Sequence, residues 1–150
     1  MTGQPVEVVV RPLRPADLPA LLRMEVELFE AAAWSPESLA AEIVGPGRWY
    51  VGATVGGELV GYAGLWFDGF DAQVMTIGTD ERFQGRGLGV VLLHHLLDAG
   101  HARGIRRFRA YVLGDNTRML DLIARFTDIR ERSLDAGVAS ILFERRAVDD

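Results

Sequence analysis

The sequence contains no cysteine and no lysine; all 16 of its basic residues are arginine. Without cysteine there is no disulfide, no thiolate metal ligand and no cysteine acyl-enzyme. Three histidines (His94, His95 and His101) make too thin a donor set for a zinc site, so no metal is expected. Lysine's absence also rules out a phosphate loop that ends in Gly-Lys-Ser/Thr. The net charge of −5 speaks against general nucleic-acid binding. No apolar run is long enough to cross a bilayer. The start MTGQPVEVVVRP lacks the basic and apolar regions of a signal peptide. The expectation is a soluble, cytoplasmic protein with no membrane or nucleic-acid partner. At 49% apolar composition, 150 residues suffice for one domain with its own core, spanning 1–150.

The most informative stretch is Ala72–Ala102. Ala72–Thr79 has the β-branched, apolar character of a buried strand. Further on, Leu88, Val91, Leu92, Leu96 and Ala99 recur at helical spacing. Between them lies Gln84-Gly85-Arg86-Gly87-Leu88-Gly89. A glycine turn entering a helix presents unpaired backbone N–H groups and the positive end of the helix dipole, which together bind anions, phosphates above all. The spacing is wrong for a dinucleotide fingerprint, because Val90 stands where its third glycine belongs. What remains is Gln-x-x-Gly-x-Gly, read on Gln84, Gly87 and Gly89.

Elsewhere the punctuation is clear. Val6–Arg11 reads as a strand, and Pro15 with Asp17 opens a helix running to about Phe29. Ser35-Pro36-Glu37 starts a second helix, which Gly45-Pro46-Gly47 stops. Trp49–Val55 and Glu58–Phe67 form a hairpin across Gly56-Gly57. Asp68–Asp71 turns the chain into the central strand. Beyond Gly104 come a strand at Arg107–Leu113, a helix at Thr117–Phe126 capped by Asn116, and two strands near Asp128–Leu134 and Val138–Arg145. The order β-α-α-β-β-β-α-β-α-β-β predicts an α+β fold: a mixed, mostly antiparallel sheet with helices on both faces.

That order, with the Gln84–Gly89 loop, resembles the GCN5-related N-acetyltransferase (GNAT) family over nearly the whole chain. Residues 6–105 look most like its ribosomal-protein alanine N-acetyltransferase (RimI-like) branch, on Glu25, Phe29, Trp34-Ser35, Glu42, Gly61-Tyr62-Ala63 and Thr76-Ile77-Gly78. Residues 107–144 resemble instead the Pat-type protein lysine acetyltransferases, through the run Val112-Leu113-Gly114-Asp115-Asn116-Thr117-Arg118-Met119. A chimeric origin is one reading of that division. The resemblance implies a transferase using acetyl-CoA as cosubstrate. It implies that Ile77, Gly78 and Thr79 contact the coenzyme. Gln84, Gly85, Arg86, Gly87, Leu88, Gly89 and Val90 would hold its pyrophosphate, and Asn116 would face the thioester end.

The catalytic positions depart from both branches. Where the first places a glutamate base, this chain has Tyr111; where it places a tyrosine acid, this chain has Ile123. The second would have a glutamate on the central strand, where Gln73 and Val74 stand. Tyr111 is therefore the candidate catalytic group, able to order a water or donate a proton. Asp71 is a candidate proton relay or a plain turn carboxylate. Glu25 and Glu30 would bind a cationic acceptor or form a solvated helix face. Arg103, Arg106, Arg107 and Arg109 would meet a nucleotide phosphate or lie on solvated surface. The acceptor expected is an N-terminal α-amine of a peptide or protein, a ribosomal protein among them. Lysine side chains, or an acyl-CoA-binding module with little turnover, stand as alternatives. The oligomer is expected to be a monomer or a homodimer.

Overall fold

The computed structural model describes residues 7–30, 33–85, 87–114 and 116–146. One seven-stranded sheet runs through it, made of β1 (Val9–Pro12), β2 (Arg48–Val55), β3 (Glu58–Phe67), β4 (Ala72–Thr79), β5 (Arg107–Leu113), β6 (Thr127–Asp135) and β7 (Val138–Arg145). Their order across the sheet is β1-β2-β3-β4-β5-β7-β6. Every neighbouring pair is antiparallel except β4–β5. Four helices complete it: α1 (Leu18–Phe29), α2 (Pro36–Val44), α3 (Leu88–Ala102) and α4 (Thr117–Phe126). The first strand begins later than its sequence pattern suggests, at Val9, and Val6 lies outside the described residues.

Local chemistry accounts for the helix starts. Ser35 accepts the Ser38 N–H at 3.1 Å and Asn116 accepts the Met119 N–H at 3.2 Å, each satisfying a donor that the first turn leaves free. Asp17 does more than complement a dipole. Its buried carboxylate receives two bonds of 2.8 Å from the Arg11 guanidinium and one of 2.8 Å from the Arg14 N–H, tying β1 to the entry of α1.

The larger apolar cluster joins the sheet to α3 and α4 on one face; the smaller joins Leu59 and Tyr62 to α1 and α2 on the other. The buried surface of α3 is wider than the predicted stripe. Leu93, Leu97 and Gly100 are buried as well, while Val91 is only partly so, because the helix sits deep between sheet and α4. On the α1/α2 face two tyrosines lie flat against glycines of the next strand. A side chain at Gly64 would meet the Tyr50 ring, and one at Gly78 would meet the Tyr62 ring at 2.7 Å. Only glycine permits that approach. It holds both phenols under the helices, where each reaches a buried glutamate.

Candidate active site

The site is opened by a break in the sheet. β4 and β5 pair only at Ala72–Val74 with Phe108–Ala110. On its other edge β4 pairs Leu65 with Val74 and Gly64 with Thr76, so Met75 is an extra residue that bends the strand. Past that bulge the ladder stops, and Met75–Thr79 and Tyr111–Leu113 border a gap.

A cleft of about 900 Å³ extends from this gap toward the N-terminus of α3. It is lined by Ile77, Gly78 and Thr79 of β4, by Gln84, Gly85, Gly87, Leu88, Gly89 and Val90, and by Asn116 across from them. The structure thus gathers every predicted coenzyme residue into one cavity except Arg86, which lies outside the described residues. Gly85 and Gly87 adopt φ of +79° and +84°, and a side chain at either would point into open space. That left-handed backbone suits glycine, and it leaves the turn bare for a ligand. Gln84 fixes the loop at both ends: its amide donates to the Thr79 carbonyl at 3.1 Å, and its oxygen accepts from Arg118 of α4. Gly89 lets Leu122 approach to 3.5 Å of where its side chain would begin. Bare loop, helix N-terminus and two rim arginines, Arg118 and Arg125, fit a long ligand carrying phosphates.

Arg118 was not among the predicted site residues. Its signal is its place in the first turn of a capped helix that follows the splayed strand. The predicted arginine cluster has other partners: Arg103 lies over the Phe67 ring, Arg107 pairs with Asp71 at 3.0 Å and Arg109 bonds Ser140. That contact makes Asp71 a turn carboxylate held by an arginine.

A second recess, of about 180 Å³, lies on the α1 side of the gap. Glu25, Trp34, Thr76 and Tyr111 line it, and it shares Ile77, Leu113, Asn116 and Met119 with the large cleft. Tyr111 is 56% exposed at its edge. Glu25 is no solvated helix residue: it is 1% exposed, accepting the Trp34 N–H at 3.0 Å and the Tyr62 hydroxyl. Glu30 is exposed and lines the large cleft. Ile123, expected at the position of an acid, is instead 1% exposed in the main core and lines neither cavity. The α4 side chains that face the large cleft are Met119, Leu122 and Phe126 with their polar neighbours. His94, His95 and His101 lie exposed on α3, away from both cavities. No group of metal-binding side chains occurs among the described residues.

Fold and cleft together are those of acyl-CoA-dependent acyltransferases. The profile of the acetyltransferase (GNAT) family matches residues 18–127, and the chain belongs to that family. It is an N-acetyltransferase whose acetyl donor is acetyl-CoA. It is 41% identical over 109 residues to the N-alpha-acetyltransferase RimI of Mycobacterium tuberculosis, covering 69% of this chain and 68% of that one. The ribosomal-protein-S18-alanine N-acetyltransferase of Escherichia coli superposes with a TM-score of 0.77 at 21% identity, over 96% of this chain and 98% of that one. PaiA N-acetyltransferase of Thermoplasma acidophilum, solved with coenzyme A, gives 0.79 at 18% identity, over 93% and 99%. The family match crosses the junction at residues 105–107 without interruption, so nothing in it supports a chimeric origin.

Proposed function

We propose that this chain acetylates the N-terminal α-amine of a peptide or protein, with ribosomal-protein N-termini as the favoured class. The observation that carries the reading is the meeting of the two cavities at Ile77, Leu113, Asn116 and Met119. In this reading the loop at Gln84–Val90 and the N-terminus of α3 hold the pyrophosphate. The β4 edge at Ile77–Thr79, left without a strand partner, offers backbone groups to the pantetheine arm and an N–H to the thioester oxygen. The amine enters from the second recess, where Tyr111 orients it or an attendant water. Holding amine and thioester together in line supplies most of the acceleration, because the nitrogen attacks without a covalent enzyme intermediate. The domain is the whole chain, acting in the cytoplasm as a monomer or homodimer.

Proton removal favours the α-amine. Ordinary pKa values are about 7.7–8.0 for an α-amine and about 10.4 for lysine, so a neutral lysine costs ~3.4 kcal/mol more. A thiol-release assay over N-terminal alanine and serine peptides, N-blocked lysine peptides and small amines tests this. α-Amine peptides should lead at pH 7, and their lead should narrow toward pH 9–10. A lysine preference at pH 7 overturns the acceptor assignment. Coenzyme binding without thiol release from any amine would make the protein a binding module.

A further inference from the structure

The two arginines that α4 turns toward the large cleft are held differently. Arg125 lies beside the carboxylate of Asp121 at 3.7 Å, one turn away on the same helix. Arg118 meets no carboxylate among the described residues; its partner is the neutral side-chain oxygen of Gln84. The other half of the same amide aims that oxygen, since its Nε2 donates to the Thr79 carbonyl at the end of β4. Turned over, the amide would set oxygen against oxygen at Thr79. Gln84 therefore holds Arg118 in one place without neutralising it. A guanidinium carries five N–H donors in a rigid fork, and the bond to Gln84 engages Nη1. The remaining donors have no partner among the described residues, and the exposed Arg118 lines the cleft together with Gly85 and Gly87.

We infer that Arg118 is the second wall of the pyrophosphate site, and that Gln84 is the positioning residue that keeps its guanidinium aimed and charged before the coenzyme arrives. The inference rests on the placement of the pyrophosphate at the Gln84–Val90 loop proposed above. Backbone N–H groups of the loop meet the phosphates from the α3 side, and Arg118 meets them from α4. A pyrophosphate carries anionic oxygens on both phosphorus atoms, and a planar fork matches two of them at once. Anchoring the arginine in advance removes part of the side-chain entropy that a free one gives up on binding. The same geometry accounts for an amide at position 84. A glutamate there has no N–H for the Thr79 carbonyl, and it would join Arg118 in an ion pair that cancels the charge the phosphates need.

The charges around the cleft make an uncommitted arginine matter. Glu30, Glu81 and Asp121 line it, and among them only Asp121 has an arginine partner among the described residues. An incoming phosphate therefore meets carboxylates, with Arg118 as the side-chain cation left to answer them. Arg125 stands seven residues further along α4, about 10 Å away at 1.5 Å per residue, too far to share one phosphate with it. The donor that this arrangement selects is a thioester bearing two linked phosphates; a bare pantetheine thioester leaves Arg118 unmatched.

Calorimetric titration with acetyl-CoA, acetyl-dephospho-CoA and, at millimolar concentration, acetyl-pantetheine separates the phosphates. Arg118→Gln should weaken the first two by the same factor, at least ~10-fold, and leave the third unchanged. Arg118→Lys should recover only part of the loss, since it keeps the charge without the fork. Arg132→Gln removes an equal charge from an exposed position of β6 that lines neither cavity, and should change none of the three. Gln84→Glu should weaken both nucleotide donors at least as much as Arg118→Gln does. Gln84→Leu should cost less in the Arg118→Gln background than in wild type, because the pair acts as one unit. A loss confined to acetyl-CoA would put Arg118 on the ribose 3′-phosphate, a loss on all three would make it a structural clasp, and no loss would make it plain surface; each overturns the inference. Additive effects of Gln84→Leu and Arg118→Gln overturn the positioning role. Gly87→Asp, titrated alongside, tests the loop by itself. Undiminished binding there, with both nucleotide donors lost in Arg118→Gln, overturns the loop placement and keeps the arginine on the pyrophosphate. Binding lost in Gly87→Asp and kept in Arg118→Gln overturns the inference alone.

Discussion

Gly87→Asp puts a side chain and a negative charge on the residue that opens α3, with Gly87→Ala as its partner. Gly87 has φ +84° and nothing within 4 Å of a built side chain, so neither variant clashes. Both pay for left-handed backbone, about 1–2 kcal/mol, which at ~2–4 °C per kcal/mol lowers the melting temperature of the free protein by a few degrees. Acetyl-CoA at a hundred times its dissociation constant should stabilise the wild type by ~2.7 kcal/mol, a rise of roughly 5–11 °C. Only the aspartate adds an anion beside the proposed pyrophosphate position. Two unit charges ~4 Å apart repel by about 4 kcal/mol at an effective dielectric of 20. That exceeds the binding stabilisation. Differential scanning fluorimetry should therefore show a coenzyme shift that survives largely in the alanine variant and vanishes in the aspartate variant. An undiminished shift in Gly87→Asp would place the phosphates elsewhere. Equal loss in both variants would make backbone strain, rather than charge, the cause.

Ile123→Tyr should give no gain in thiol release, since that position lies in the core; crowding and a buried hydroxyl should cost about 1–3 kcal/mol in denaturant unfolding. A faster enzyme of unchanged stability would show that α4 presents this residue to the cleft. For Asp17, the Arg11 guanidinium holds the carboxyl below the usual carboxylate range. Its stabilisation is present above the unfolded value of about 3.9 and is lost as pH falls through the lower folded one. Asp17→Asn should accordingly be less stable at pH 7, with a flatter fall in stability between pH 5 and 3. Identical slopes in the two proteins would refute the pairing.

The strands, helices and caps were legible because they rest on local chemistry: Ser35 and Asn116 cap what they precede, and Gly56-Gly57 turns the hairpin it sits in. The glycine loop was legible for the same reason. The second recess was not. Glu25 and Tyr62 are 37 residues apart, and no periodicity links them. Their burial follows from how α1 crosses a sheet whose glycines admit flat tyrosines. Nor does spacing decide between Leu122 and Ile123, apolar neighbours about 100° apart on a helix. The packing of α4 against the core turns Ile123 inward and leaves Leu122 beside Gly89. The opening of the sheet depended on one extra residue, Met75, in a strand that reads as continuous.

That opening gives the sheet a seam. Among the described residues, three pairs are all that join β1–β4 to β5–β7–β6 along the strands. In hydrogen-exchange language the seam is where backbone amides should open first, since few backbone bonds beside an open gap mark the cheap end of local opening. On the proposed coenzyme assignment, a pantetheine arm lying against Ile77–Thr79 would act there as a short surrogate strand. It would restore rungs that the polypeptide omits, adding backbone bonds where the two blocks are otherwise held by three residue pairs and the shared apolar core. Coenzyme occupancy would then be a mechanical property of the sheet, which would be stiffest while an acyl group is waiting to be transferred.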